Sequence, residues 1–186
     1  MTDKKLEYDL ATKKLVEQAK NLSLPAEFST KYDLVDTVKV FREAFKNPIL
    51  RKQVLSQKYE KERVKQYRFS AGFCGIASYT WNHLFRMPDM SEIWRLKQFS
   101  KNNIVPGLTN HVWLENKFDG SILDLSFDQS VDKNGSFIEI PYHLGNYVNS
   151  NFEFQRAYKF AKHIGIDLEY TVFINILFSN SRNNSN

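Results

Sequence analysis

The chain has 186 residues, 42% hydrophobic and 15% aromatic, enough apolar material for the core of one ordinary domain. Seven Gly and five Pro exclude collagen-like and low-complexity chains, and the lone Cys74 excludes an intrachain disulfide scaffold. The formal charge is +5, and residues 51–68 alone carry seven Lys or Arg against Glu60 and Glu62.

Such a cluster either binds phosphate and anionic surfaces or forms a solvated helix face. The interleaved glutamates favour the solvated face. No apolar run reaches the roughly 18–20 residues of a membrane span. The longest, at residues 170–178, is short and contains Asn175. The start, Met1-Thr2-Asp3-Lys4-Lys5, has no apolar core of a signal peptide, so the expectation is a cytoplasmic protein outside any membrane.

In chain order, Tyr8, Ala11, Leu15 and Ala19 recur at helical spacing and predict a helix over 4–20, stopped before Pro25. Asp33 is an N-cap for a second helix striped by Leu34, Val38, Phe41 and Phe45. Asn47-Pro48 breaks it, and Pro48 suits the first turn of a third helix, whose thin apolar face is Leu50, Val54 and Val64. After Ser70-Ala71-Gly72, the residues Phe73, Ala77, Trp81 and Leu84 predict a fourth helix that ends before Met87-Pro88. Residues 91–99 fit a helix and a strand equally well. From Asn110 the period becomes two, and Asp119-Gly120 predicts a two-residue hairpin turn between strands 110–118 and 121–128. Residues 153–164 form another amphipathic helix closed by Gly165, and 168–178 reads as a buried strand. The fold class is α+β: one domain over 1–178, with a helical part at 1–69 and a core at 70–178. The polar residues 179–186 are an expected disordered tail.

Cys74 falls where a loop becomes a helix, between Gly72 and Gly75. Unpaired N–H groups and the positive end of the helix dipole meet there, and both favour a thiolate. A thiol nucleophile needs a base, and the base needs an orienting group. His111 opens the first hairpin strand, and Asp124 and Asp128 stand on the second. A two-residue turn sets Asp128 opposite His111, whereas a bulge brings Asp124 nearer. Spacing alone leaves both acids in place. His83, His143 and His163 lack ligand spacing beside the cysteine, so no metal and no cofactor is expected. Trp81 and Trp113 read as core residues.

Gly72-Phe73-Cys74-Gly75-Ile76-Ala77-Ser78, His111-Val112-Trp113-Leu114-Glu115 and Asp124-Leu125-Ser126 together resemble the transglutaminase-like branch of papain-like thiol enzymes. In that branch a helix-borne Cys precedes H-x-W-x-E on one strand and D-x-T/S on the next. Arylamine N-acetyltransferases and peptidoglycan-cleaving thiol peptidases share the layout. The resemblance covers residues 70–129. It implies a nucleophile helix packed on an antiparallel sheet, with Cys74 as nucleophile, His111 as base and Asp124 as orienting acid. Papain-like peptidases carry an oxyanion-stabilising Gln shortly before the cysteine, and Gln66 lies near that position. The His111–Asp124 spacing is tighter than in many such proteins, and Ser126 stands where Thr is commoner.

The function expected from residues and resemblance together is thiol-dependent acyl transfer on an amide or ester of a protein, peptide or small molecule, ending in hydrolysis or in transfer to an amine. Two other classes compete. One is a basic module that binds nucleic acid or an anionic surface through residues 51–68. The other is an inactive papain-like scaffold for protein binding.

Overall fold

The computed structural model describes residues 2–28, 32–66, 68–87, 89, 91–100, 110–130, 137–148 and 154–166. Six helices, α1 (Thr2–Lys20), α2 (Leu34–Lys46), α3 (Pro48–Val54), α4 (Gln57–Gln66), α5 (Cys74–Leu84) and α6 (Phe154–His163), accompany four strands. The strands are β1 (Trp94–Phe99), β2 (His111–Asn116), β3 (Ile122–Leu123) and β4 (Asn146–Tyr147). They form one antiparallel sheet in the order β3-β2-β1-β4. The fold is α+β, with helices packed on the sheet.

Local chemistry sets the helix boundaries. The Asp33 carboxylate accepts the Asp36 N–H at 2.8 Å and opens α2. Asn47 then serves two helices: it ends α2, and its side chain accepts the Ile49 and Leu50 N–H groups to open α3, with Pro48 in the first turn. The long third helix expected from sequence is two helices, because extended backbone at Leu55 separates α3 from α4. Gly165, at φ +74°, closes α6 while Ile166 N–H reaches back to Ala161 O. The ambiguous stretch 91–99 is mostly strand β1, whose ends Trp94 and Phe99 are buried. The strand expected at 168–178 and the tail at 179–186 lie outside the described residues.

Helix α5 lies across β2 and β1, α6 packs on α5 and α3, and α1 packs on α2. The space between is filled by Phe41, Phe45, Phe73, Trp81, Phe85, Trp94 and Phe160, all with at most 0% exposure. Burial of each such ring contributes about 1.5–3 kcal/mol. Polar spacing registers α5 on the sheet. Cys74, Ser78 and Asn82 stand four residues apart on one face. Ser78 Oγ donates to Val112 O at 3.4 Å, and Asn82 Nδ2 donates to Trp94 O at 2.6 Å. The first member of that row is the thiol.

The β2–β3 hairpin is antiparallel as expected, but its loop has four residues, 117–120, rather than two. Asn116 and Ser121 close it, Gly120 N–H donates to Asn116 O at 2.9 Å, and Gly120 takes φ +73°. Leu114 therefore faces Leu123 and Glu115 faces Ile122. The register moves by two residues and keeps every side chain on its expected face. The second strand is also much shorter than 121–128. It ends at Leu123, and the chain turns through 125–126 into a 3₁₀ turn at Phe127–Gln129.

That turn is tied to the N-terminal helices by a buried ion pair. Arg42 on α2 has no exposed surface, and it grips Asp128 in two parallel bonds of 2.7 and 2.8 Å. Its remaining donors reach Leu125 O, Tyr8 O and Thr12 Oγ1, and its plane lies 3.8 Å over the Tyr8 ring. All five N–H donors of the guanidinium are taken up. We expect Arg42→Met to cost about 3–5 kcal/mol in urea unfolding, since it strands a buried carboxylate. Adding Asp128→Leu should recover much of that loss. A loss below about 1 kcal/mol for the single variant would show the pair to be dispensable.

Candidate active site

Three segments distant in sequence bring their side chains together at the start of α5. Cys74 is the first residue of α5, and its N-cap Phe73 supplies no side-chain acceptor. The N–H groups of that first turn thus have no partner within the helix. The thiol is half-buried, and the His111 and Gln129 side chains and the Val112 backbone lie where they favour its ionised form. A strand start suggests a lightly held side chain, yet His111 is fully enclosed.

His111 Nε2 donates to Asp124 Oδ2 at 2.5 Å. The acid is ordered in turn. Tyr142 OH donates to the same oxygen at 3.0 Å, and Ser126 N–H donates to Oδ1 at 3.1 Å. With Nε2 occupied, Nδ1 is the ring nitrogen that faces the thiol and the Gln129 amide. The Trp113 ring lies 6.1 Å from the imidazole at an interplanar angle of 22°. Gly145 keeps that tryptophan in place, because a Cβ there would come within 2.2 Å of the Trp113 ring.

Of the two competing acids, Asp124 holds His111 and Asp128 does not. On the observed register Asp124 is a diagonal neighbour of His111 on the same sheet face, within side-chain reach. Beyond Leu123 the backbone no longer follows strand geometry, so the naive extrapolation to Asp128 fails. Asp128 turns to Arg42 instead. The side chain of Gln66, at the end of α4, lies outside the described residues. A glutamine does meet the thiol, but it is Gln129.

Sequence reasoning missed Gln129, Tyr142 and Arg42. Gln129 stood directly beside a candidate acid, Asp128, which was a usable signal. Tyr142, in a 3₁₀ turn at Tyr142–Leu144, gave none. The basic stretch 51–68 also departs from a uniformly solvated face. Arg51 has no exposed surface; it pairs with Glu60 at 2.9 Å and donates to Phe45 O and Phe69 O. Arg68 donates to Gln129 O. Two of the seven cations therefore hold the structure together.

The electrostatics follow from these contacts. Burial opposes ionisation of Cys74, and the His111 and Gln129 hydrogen bonds outweigh it, so the thiol ionises below its ordinary value. Burial likewise favours the neutral imidazole, but the Asp124 carboxylate, and then Cys74, carry His111 up to about 10. The pair is a thiolate beside an imidazolium over the interval between those values. A cavity of about 290 Å³ also reaches Asp124, lined by Lys14, Gln18, Ile122, Phe127 and Tyr142. Among the described residues no three His, Cys, Asp or Glu side chains are grouped as a metal would require, and no helix is long and apolar enough to cross a membrane. No family model, curated protein or solved structure matches the chain.

The signs of both shifts make a testable pH dependence. Cys74, lowered on folding, adds stability that is complete above its unfolded value and is lost as the pH falls through its folded value. His111, raised on folding, adds stability that is complete below its ordinary 6.5 and is lost as the pH rises through about 10. Iodoacetamide alkylation of Cys74 should therefore reach its plateau at a pH well below the ordinary thiol range. His111→Gln should move the midpoint upward. A wild-type midpoint at or above about 8.5 would refute the ion pair.

Proposed function

We propose that the protein is a thiol-dependent acyl-transfer enzyme of papain-like, transglutaminase-like type, acting on an amide or ester. One observation carries the reading: His111 is hydrogen-bonded to Asp124 and favours ionisation of the Cys74 thiol, with the sulfur at a helix start and the acid at the far ring nitrogen. The motif residues of the resemblance at 72–78, 111–115 and 124–126, the Cys-His-Asp order and the sheet-packed helix support it.

The chemistry follows from the positions. The Cys74 thiolate attacks the carbonyl carbon, a C–S bond forms, and the carbonyl π pair moves onto oxygen. As the tetrahedral adduct collapses, the departing amine or alkoxide takes the proton from His111 Nδ1. Asp124 keeps the proton on Nε2, so the ring presents one nitrogen in one tautomer throughout. The acyl-enzyme is then resolved by water or by an amine, with His111 accepting the proton from the incoming nucleophile. Water makes the protein a peptidase, amidase or deamidase; an amine makes it a transferase.

p-Nitrophenyl acetate is a suitable probe, since acylation of the thiol releases a chromophore without any need for the natural substrate. The wild type should show a burst matched by one acetyl group on Cys74 in the intact mass. Cys74→Ala should abolish it, and Asp124→Asn should slow it by about 10²–10⁴-fold while Asp128→Asn, judged on the fraction still folded, should not. A burst that persists in Cys74→Ala would overturn the proposal.

A further inference from the structure

The Gln129 carboxamide is built into the site more firmly than a bystander requires. It is 8% exposed, and its Oε1 accepts the Gly72 N–H at 3.2 Å. That bond fixes which end of the amide is which, because an –NH₂ group facing Gly72 would set donor against donor. The –NH₂ group is thereby aimed at His111 Nδ1 and the Cys74 sulfur. The backbone is held as well: Gln129 N–H donates to Ser126 O at 2.9 Å, and Gln129 O accepts from Arg68. Gly72 itself, at φ +85° and pressed against the Tyr59 ring, has no room for a side chain, so this platform is rigid.

We infer that Gln129 is the oxyanion donor of the site, acting with the backbone N–H of Cys74; the inference rests on the acyl-transfer reading above. In the neutral form of the pair, thiol beside imidazole, the amide serves the Nδ1 lone pair and the sulfur. Transfer of the thiol proton to Nδ1 consumes that lone pair, which frees the –NH₂ group for whatever carries negative charge beside it. First that is the thiolate. Once the C–S bond has formed, it is the oxygen that received the carbonyl π pair. That oxygen is bonded to the carbon attached to sulfur, within reach of a donor that already contacts sulfur. The Cys74 N–H, unpaired within α5, supplies the second bond. Collapse of the adduct returns the electron pair to the carbonyl and releases both donors.

The test separates attack with an oxyanion from attack without one. Displacement of iodide from iodoacetamide by Cys74 develops no oxyanion, whereas acylation by p-nitrophenyl acetate does. Gln129→Met keeps the length and removes the donor; Gln129→Glu keeps the acceptor for Gly72 as well, so the fold is retained in at least one variant. The expected result is acylation slowed by about 10²–10³-fold with the plateau rate of alkylation unchanged. Equal slowing of both reactions would make Gln129 a residue that only shapes the thiol, and no slowing of either would leave it without a role; both overturn the inference. A wild-type protein that is alkylated at low pH yet never acylated would instead sink the acyl-transfer reading, and the oxyanion role with it.

Discussion

Arg42 is a full charge held with no exposed surface, and the segment from Asp124 to Gln129 takes its shape from it. Transfer of a guanidinium out of water costs several kcal/mol, and only a partner of matching geometry offsets that. The bidentate bonds to Asp128 and the bond to Leu125 O place that partner within the 3₁₀ turn. Asp124 lies one residue before Leu125, and Gln129 one residue after Asp128. The two groups that flank His111 are thus positioned by a charge on α2. This gives the N-terminal helices a part in the site, through Tyr8 and Thr12 as well as Arg42.

The imidazole is confined in a different way. Asp124 fixes one nitrogen, Gln129 and the thiol meet the other, and Trp113 limits rotation about the ring plane. Each confining group has its own support: Tyr142 and Ser126 at Asp124, Gly72 at Gln129, Gly145 beneath Trp113. Low local polarity makes each of these contacts stronger than it is in water, and makes the absence of any one more costly. Burial and ionisation are therefore compatible at Cys74 and His111 because each favours the charged form of the other.

Much of this was legible where local rules apply. Asp33, Asn47-Pro48 and Gly165 mark helix ends by side-chain capping, proline geometry and positive φ, and all three lie where the helices end or begin. The Cys74 and His111 placements followed from a loop–helix junction and from period-two alternation. Asp119-Gly120 announced the hairpin, but dipeptide chemistry does not count loop residues, and the Asn116–Ser121 closure shifted the register by two. The choice between Asp124 and Asp128 was beyond spacing, because it depends on where β3 stops. Beyond that end Arg42, far away in sequence, holds Asp128 aside. Arg51 was equally unreadable: within a charged run nothing local distinguishes a cation that will be buried from one that will be solvated.

The sequence separations carry a consequence for how reactivity arises. His111 and Gln129 are 18 residues apart, Gly72 and Gln129 are 57 apart, and Arg42 and Asp128 are 86 apart. None of these contacts can be made by a helix or hairpin folding alone. In the unfolded chain the neighbours of Cys74 are Phe73 and Gly75, which lend its thiol no charge and no hydrogen bond, so the thiol is ordinary. It becomes acidic through the tertiary contacts that set His111 and Gln129 beside it. The β2–β3 hairpin alone sets Asp124 beside His111, whereas Gln129 lies beyond it, next to the Asp128 that Arg42 holds. The lowered ionisation of the thiol is therefore a property of the tertiary structure and of no local segment.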